Sequence, residues 1–101
     1  MIVTRNNELW EFKSPVTVSV RKQIFNSIKQ AKMQKREYVL IKISTKEVND
    51  IMNGFLDVGF SRLGTLKKID LMYQRKLVSI DLSLLREKRY GVLFHILDEK
   101  L

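Results

Sequence analysis

Two apolar stretches decide the fold predicted from this sequence: Leu77-Val-Ser-Ile-Asp-Leu-Ser83 and Val92-Leu-Phe-His-Ile-Leu97. Each has the length and the content of β-branched and aromatic residues that is typical of a β-strand. Between them lies Arg86-Glu-Lys-Arg-Tyr-Gly91, which carries three cations and a glycine that suits a turn. The pattern predicts a β-hairpin with a cationic tip.

The composition indicates one small, basic globular domain, residues 1–101. With 45% hydrophobic residues, the chain can form a packed core rather than remain disordered. Lys and Arg total 19 against 11 Asp and Glu, which gives a net charge of +8. This excess favours a polyanionic partner, usually nucleic acid. The alternative is a charge that only keeps the protein from aggregating.

Several classes of chemistry are excluded or disfavoured by the residue content. The chain has no cysteine, so it has no disulfide, thiolate zinc site or cysteine nucleophile. His95 is the only histidine and has no evident orienting partner, and no glycine-rich phosphate loop is present. We therefore expect neither an enzyme nor a metal or other cofactor. No apolar run approaches membrane-spanning length, so we expect a cytoplasmic protein without a membrane partner.

The first half of the chain predicts a hairpin, a helix and a strand in turn. Residues 2–5 and 8–12 flank Asn6-Asn7, a dipeptide that tolerates positive φ and suits a tight turn. Apolar residues at helical spacing predict a helix over residues 17–36, with lysines on its other faces. The β-branched run over residues 38–43 predicts a strand.

Ser44-Thr-Lys-Glu47 has the pattern of a capping box, in which the serine and the glutamate satisfy free backbone amides at a helix start. The apolar residues that follow have the spacing of one helix face: Val48, Ile51, Met52, Phe55 and Leu56. A second helix is therefore predicted, followed by a turn at Gly59.

Residues 61–75 have two interpretations, of which we favour a helix capped by Ser61. The helical face would consist of Leu63, Leu66, Ile69 and Tyr73, with Arg62, Thr65 and Lys68 pointing outward. Gly64 and Asp70 fit this helix poorly, and Ile69, Leu71 and Tyr73 also alternate as in a strand.

The predicted elements follow one another as helix, strand, helix, helix, strand, cationic loop and strand. This α+β order resembles that of winged helix-turn-helix DNA-binding proteins, with an N-terminal β-hairpin added. The competing fold is an α+β sandwich in which residues 66–73 pair with residues 77–83.

Small size, basic charge and the N-terminal addition are also similar to accessory factors that conjugative plasmids use at their transfer origins. The resemblance implies sequence-specific binding of double-stranded DNA, with a recognition helix at residues 61–75 and a wing at residues 84–91. It also implies a relaxase as a partner; transcriptional regulation is the other process that such a domain serves.

The candidate DNA-binding residues are Arg86, Lys88 and Arg89 in the wing, Arg62, Thr65 and Lys68 in the helix, and Arg5 and Asn6 at the N-terminal turn. Lys29 and Lys32 are discounted, because the first helix of a winged-helix domain commonly lies away from the groove. An outer hairpin face with Leu93, His95 and Leu97 predicts a weak homodimer.

Residues 89–101 also resemble the late strands of ribosome-dependent messenger-RNA-cleaving toxins, which are small and basic. The chain lacks the further strand that such toxins require. Three functions therefore stand as alternatives: a DNA-binding module, such a toxin, and a protein-interaction factor whose charge is incidental.

Overall fold

The computed structural model describes residues 2–14, 19–59 and 63–101 of the chain. The elements follow as β1 (Ile2–Arg5), β2 (Glu8–Lys13), α1 (Val20–Met33), β3 (Tyr38–Lys42), α2 (Val48–Val58), β4 (Lys68–Tyr73), β5 (Lys76–Ile80), α3 (Leu82–Arg86) and α4 (Tyr90–Lys100). The α+β class predicted from the sequence is confirmed, but this order of strands and helices differs from that of a winged helix.

The five described strands form one mixed sheet in which each strand pairs with its neighbours in the sequence. The pairs β1–β2 and β4–β5 are antiparallel, whereas β2, β3 and β4 run parallel. The helices α1 and α2 make the two parallel crossovers, and because such crossovers share one hand, both helices lie on the same face of the sheet. They pack against each other, and α4 packs against α2 and β5.

The main core lies between this helix layer and the sheet. Its largest fully buried members are Ile24, Ile28, Ile41, Ile51, Phe55, Leu66, Ile69, Leu71, Leu85, Leu93 and Leu97. Leu40 lies between Val39 and Ile41 along β3 and therefore points to the opposite face of the sheet. Trp10 is on that opposite face too, because it pairs with Tyr38, two residues before Leu40. We call this side, away from α1 and α2, the open face of the sheet.

The predicted N-terminal hairpin is confirmed: β1 and β2 pair around Asn6 and Asn7, whose φ angles are 51° and 63°. The first two predicted helices and the strand between them are also confirmed, as α1, β3 and α2. The capping box is wrong in detail. Glu47 precedes α2 without a side-chain capping bond, and the Ser44 hydroxyl lies 3.3 Å from Gln23 Oε1, to which it donates.

The prediction of a helix over residues 61–75 is wrong, since β4 occupies Lys68–Tyr73. Its competitor, the pairing of residues 66–73 with residues 77–83, is confirmed in part: the β4–β5 ladder joins residues 69–73 to residues 76–80, and Ile69 faces Ile80. The strand explains Asp70, because alternation sends this carboxylate to the open face while Ile69 and Leu71 enter the core. Residues 61 and 62 lie outside the described part of the chain.

The predicted C-terminal hairpin is also wrong. Residues 92–97 belong to α4, and β5 ends at Ile80. Leu93 and Leu97, one helical turn apart, are buried, whereas Val92 and Phe94 are each 40% exposed. The hairpin prediction placed Leu93 and Leu97 on the outer face, but the structure buries both side chains. The proposed dimer face that contains these two residues therefore does not exist. The strands on which the likeness to messenger-RNA-cleaving toxins rested are absent here as well.

Candidate nucleic-acid interface

Arg86, Lys88 and Arg89 lie at the turn between α3 and α4 rather than on a wing. All three are exposed, and Lys88 has a φ of 57°. None of them forms an ion pair with another described residue. Carboxylates are nevertheless close: Asp81 accepts from the Ser83 backbone N–H, and this bond, with a weaker contribution from Arg89, lowers the pKa of Asp81.

The other predicted DNA contacts lie elsewhere, and most are engaged within the protein. Arg5 Nη2 lies 2.9 Å from Asp70 Oδ2, and Arg5 Cζ lies 4.3 Å from the ring centroid of Trp10. Lys68 Nζ lies 3.2 Å from Glu8 Oε2, and Thr65 donates a 3.0 Å hydrogen bond to the Arg36 carbonyl oxygen. Arg62 lies outside the described residues.

Three of these predicted residues, Arg5, Asn6 and Lys68, come together around a cavity of about 470 Å³ on the open face. Arg5 is the last residue of β1, Asn6 lies in the β1–β2 turn, and Lys68 is the first residue of β4. Trp10 and Asp70 line the cavity as well, and both are almost completely buried. We call this space the sheet cavity.

Ion pairs and hydrogen bonds fix the charge state of the groups around the sheet cavity. Partial burial opposes ionisation of Glu8, but hydrogen bonds from Lys68 and Tyr38 outweigh it and lower the pKa of Glu8. The Glu8 carboxylate in turn raises the pKa of the Tyr38 hydroxyl. At neutral pH, Glu8 is therefore ionised and Tyr38 is protonated.

A different cationic surface, which includes the discounted Lys29 and Lys32, lies on the outer side of α1. Lys22, Asn26, Lys29 and Met33 are spaced by four, three and four residues, so they share one exposed face. Lys32 and Gln30 flank this face. We call Lys22, Asn26, Lys29, Gln30 and Lys32 the basic α1 face.

The basic α1 face has no acidic counterpart in the part of the chain that the structure describes. Lys22, Lys29 and Lys32 form no ion pair there; Lys29 instead lies 6.0 Å from the ring centroid of Phe25. Among the described residues, Asp57 of α2 pairs only with Arg21, at 2.6 Å between Oδ2 and Nε. The signal was present in the sequence, since it contains no Asp or Glu from Lys13 to Arg36.

The described residues offer little for other kinds of chemistry. They contain no group of three His, Asp or Glu side chains placed to hold a metal ion. His95 is exposed on α4, where its Nε2 lies 3.1 Å from Glu99 Oε1 one turn later. Among the described helices, none has both the length and the apolar character needed to cross a membrane.

Comparisons of the chain with protein-family models, curated proteins and solved structures returned no match.

Proposed function

We propose that this protein binds double-stranded DNA through the basic α1 face. The observation that supports this proposal is that α1 carries four cations and no carboxylate, while three of those cations have no acidic partner among the described residues. Free lysines on one surface keep their charge available to phosphates, and phosphate contacts supply most of the affinity of DNA-binding proteins.

The shape of α1 fits a duplex. The helix has 14 residues and is thus about 21 Å long. The major groove of DNA is about 12 Å wide and admits an α-helix. In this arrangement Lys22, Lys29 and Lys32 contact phosphates. The Asn26 amide is the group able to recognise an adenine edge, because the Gln30 amide oxygen already accepts a 3.2 Å hydrogen bond from Lys13.

The turn with Arg86, Lys88 and Arg89 is the competing contact surface. It carries three cations, as many as the basic α1 face. We rank it second for two reasons. Glu87 lies within the turn and Asp81 is close enough to feel the charge of Arg89, so the local field is mixed. The turn also lacks the hairpin that would let a wing project into a groove.

The test is a pair of variants with equal loss of charge, Lys22/Lys29/Lys32→Ala and Arg86/Lys88/Arg89→Ala. Mobility-shift titrations against duplex DNA at several salt concentrations give the affinity and its salt dependence. The slope of log affinity against log salt changes by about 0.9 for each phosphate that the protein no longer neutralises. We expect the α1 variant to flatten this slope by up to about 2.7, and the turn variant to leave it near that of the parent.

Each outcome decides between the two surfaces. Loss of binding in the turn variant alone would assign the contact to residues 86–89 and reject the α1 proposal. If the parent protein binds no duplex even at low salt, the function itself is rejected. Both triple variants should unfold at the parent's temperature, because all six side chains lie at least partly in solvent.

The finer assignments stay predictions: sequence-specific recognition, a role as a plasmid accessory factor or transcriptional regulator, a relaxase partner, and a homodimer. Competition with scrambled DNA tests sequence-specific recognition. Sedimentation with and without duplex DNA tests the homodimer.

A further inference from the structure

An aromatic side chain, Phe25, interrupts the row of lysines on the basic α1 face. Lys22, Phe25, Lys29 and Lys32 are spaced by three, four and three residues, so they follow one another along one side of the helix. Phe25 packs against the core cluster but remains partly exposed. A phosphate gains nothing from a phenyl ring, so this point of the face is suited to a contact of a different kind.

A recess of about 230 Å³ lies beside Phe25. Its described lining consists of two apolar residues, Phe25 and Val58, and two lysines, Lys29 and Lys32. Val58 is the last residue of α2, so the recess lies where the outer side of α1 meets the end of α2. We call this space the Phe25 recess.

The charges around the Phe25 recess favour an anionic ligand. Neither Lys29 nor Lys32 forms an ion pair with another described residue. Asp57, next to Val58 in the chain, accepts hydrogen bonds from Arg21 at 2.6 and 2.8 Å through its two carboxylate oxygens. Because Arg21 balances this carboxylate, the lysines determine the local field. A fitting ligand therefore combines an apolar or flat group with negative charge.

One face of the Phe25 ring is open to such a flat group. Lys29 Nζ lies over the ring, 6.0 Å from its centroid, so the core does not cover this face. That distance is at the limit of about 6 Å for a cation–π contact, so Lys29 is held weakly. Its exposed side chain can move outward to admit a ring while its ammonium stays near the recess.

We propose that the Phe25 recess binds an unpaired base of a DNA strand, stacked on Phe25, while Lys29 and Lys32 contact the adjacent phosphates. Aromatic rings combined with cations that follow the backbone are how proteins bind single strands with little regard to sequence. In a duplex the bases are already stacked on one another, so only an unpaired base can enter the recess. This inference rests on the proposed duplex binding by the same face, and it makes the junction between paired and unpaired DNA the preferred ligand.

Duplexes with matched overhangs test the proposal on the full-length protein. One duplex carries a short thymidine overhang, a second carries an abasic overhang of equal length, and a third is blunt. The abasic overhang keeps the phosphates and removes only the bases. Fluorescence anisotropy at one salt concentration measures the three affinities. We expect the thymidine overhang to bind about tenfold more tightly than the abasic one, and an adenine overhang to give a similar gain, because stacking tolerates any base.

Two substitutions at Phe25 separate stacking from packing. Phe25→Leu keeps an apolar side chain but removes the ring, so the preference of about tenfold for bases over abasic nucleotides should disappear. Phe25→Tyr keeps the ring and should retain that preference. Both variants should bind the blunt duplex as tightly as the parent does, whereas a merely structural role for Phe25 would weaken binding of all three DNAs alike. Melting temperatures near that of the parent show that both variants fold.

The results distinguish failure of this site from failure of duplex binding. Equal affinity of the parent for thymidine and abasic overhangs, or a preference that survives Phe25→Leu, overturns the proposal. Binding of the thymidine overhang without any affinity for the blunt duplex supports the Phe25 recess and rejects the proposed function instead. An acidic peptide with one phenylalanine is the competing occupant. If its binding depends on Phe25 while that of the overhangs does not, the recess belongs to a peptide and the proposal is rejected.

Discussion

Gly54 determines how closely α1 approaches α2. A Cβ at this position would lie 2.8 Å from the Arg21 carbonyl oxygen and 2.9 Å from Ile24 Cβ. Atoms do not approach so closely without displacement, and the first contact is with the backbone of α1, which cannot rotate away as a side chain can. The two helices can therefore pack this closely because Gly54 has no Cβ.

We expect Gly54→Ala to lower the free energy of unfolding by about 1–3 kcal/mol, because the added methyl group forces α1 and α2 apart. Urea denaturation followed by circular dichroism measures this change. Gly91→Ala is the matched control, since no atom outside the immediate chain lies within 4 Å of its added Cβ and the position is helical. The control should be neutral or stabilising by up to about 1 kcal/mol. Equal destabilisation by both substitutions would show that helix packing is not the cause.

The contact between Arg5 and Asp70 could not be predicted from the sequence. The two residues are far apart in the chain and lie on strands β1 and β4, with β2 and β3 between them. Local patterns report periodicity, whereas this contact depends on the order of strands in the sheet. Asp70 nevertheless carried a usable signal, because a carboxylate on the apolar side of a proposed helix argues against that helix.

At the scale of single elements, α4 illustrates why a short apolar run is ambiguous. Val92-Leu-Phe-His-Ile-Leu97 contains residues of high strand propensity and no polar interruption other than His95. Its apolar residues satisfy a period of two and a period of 3.6 about equally. Packing decides between them, because a helix places Leu93 and Leu97 together against α2 and β5.

Alanine substitutions distinguish the two interpretations of this segment. Leu93→Ala should cost about 2–5 kcal/mol of unfolding free energy, because it leaves a cavity beside α2 and β5. Phe94→Ala should cost much less, since Phe94 is 40% exposed. Thermal or chemical denaturation of both variants gives the comparison. A strand with Phe94 facing the core requires the opposite ranking.

The basic α1 face shows how an assumed fold can direct attention away from an exposed cationic surface. Lys29 and Lys32 were discounted because lysines opposite an apolar stripe are usually only solvated, and because a winged-helix domain commonly turns its first helix away from DNA. In the observed fold α1 lies on the outside of a sheet, and Lys22 and Lys29 are exposed. The absence of carboxylates from Lys13 to Arg36 can be read from the sequence without assuming any fold.

At the scale of the whole molecule, carboxylates distributed over several elements make the fold sensitive to acid. Hydrogen bonds and nearby cations lower the pKa of Glu8, Glu11 and Asp57 even though burial opposes this shift in each. A carboxyl group with a lowered pKa stabilises the folded state above its ordinary pKa. That contribution is lost as the pH falls through the folded-state pKa.

We therefore expect the melting temperature to be nearly constant above about pH 5 and to decrease as the pH falls below about 4.5. Arg21→Gln removes the cation that lowers the pKa of Asp57, so this variant should be less stable than the parent at neutral pH. The difference between the two melting temperatures should shrink as the pH falls and Asp57 becomes protonated in both proteins. Calorimetry across this pH range measures the effect, and a constant difference between the curves would contradict it.

The strands have the same order in the sheet as in the chain. This order affects how the protein can fold during its synthesis. The pairs β1–β2 and β4–β5 are closed by tight turns, while β3 is separated from each parallel partner by a segment that contains a whole helix. As the chain leaves the ribosome, each new strand finds its partner already present at the growing edge of the sheet. No strand must later be inserted between two that have already paired, so the fold can be assembled in the direction of synthesis.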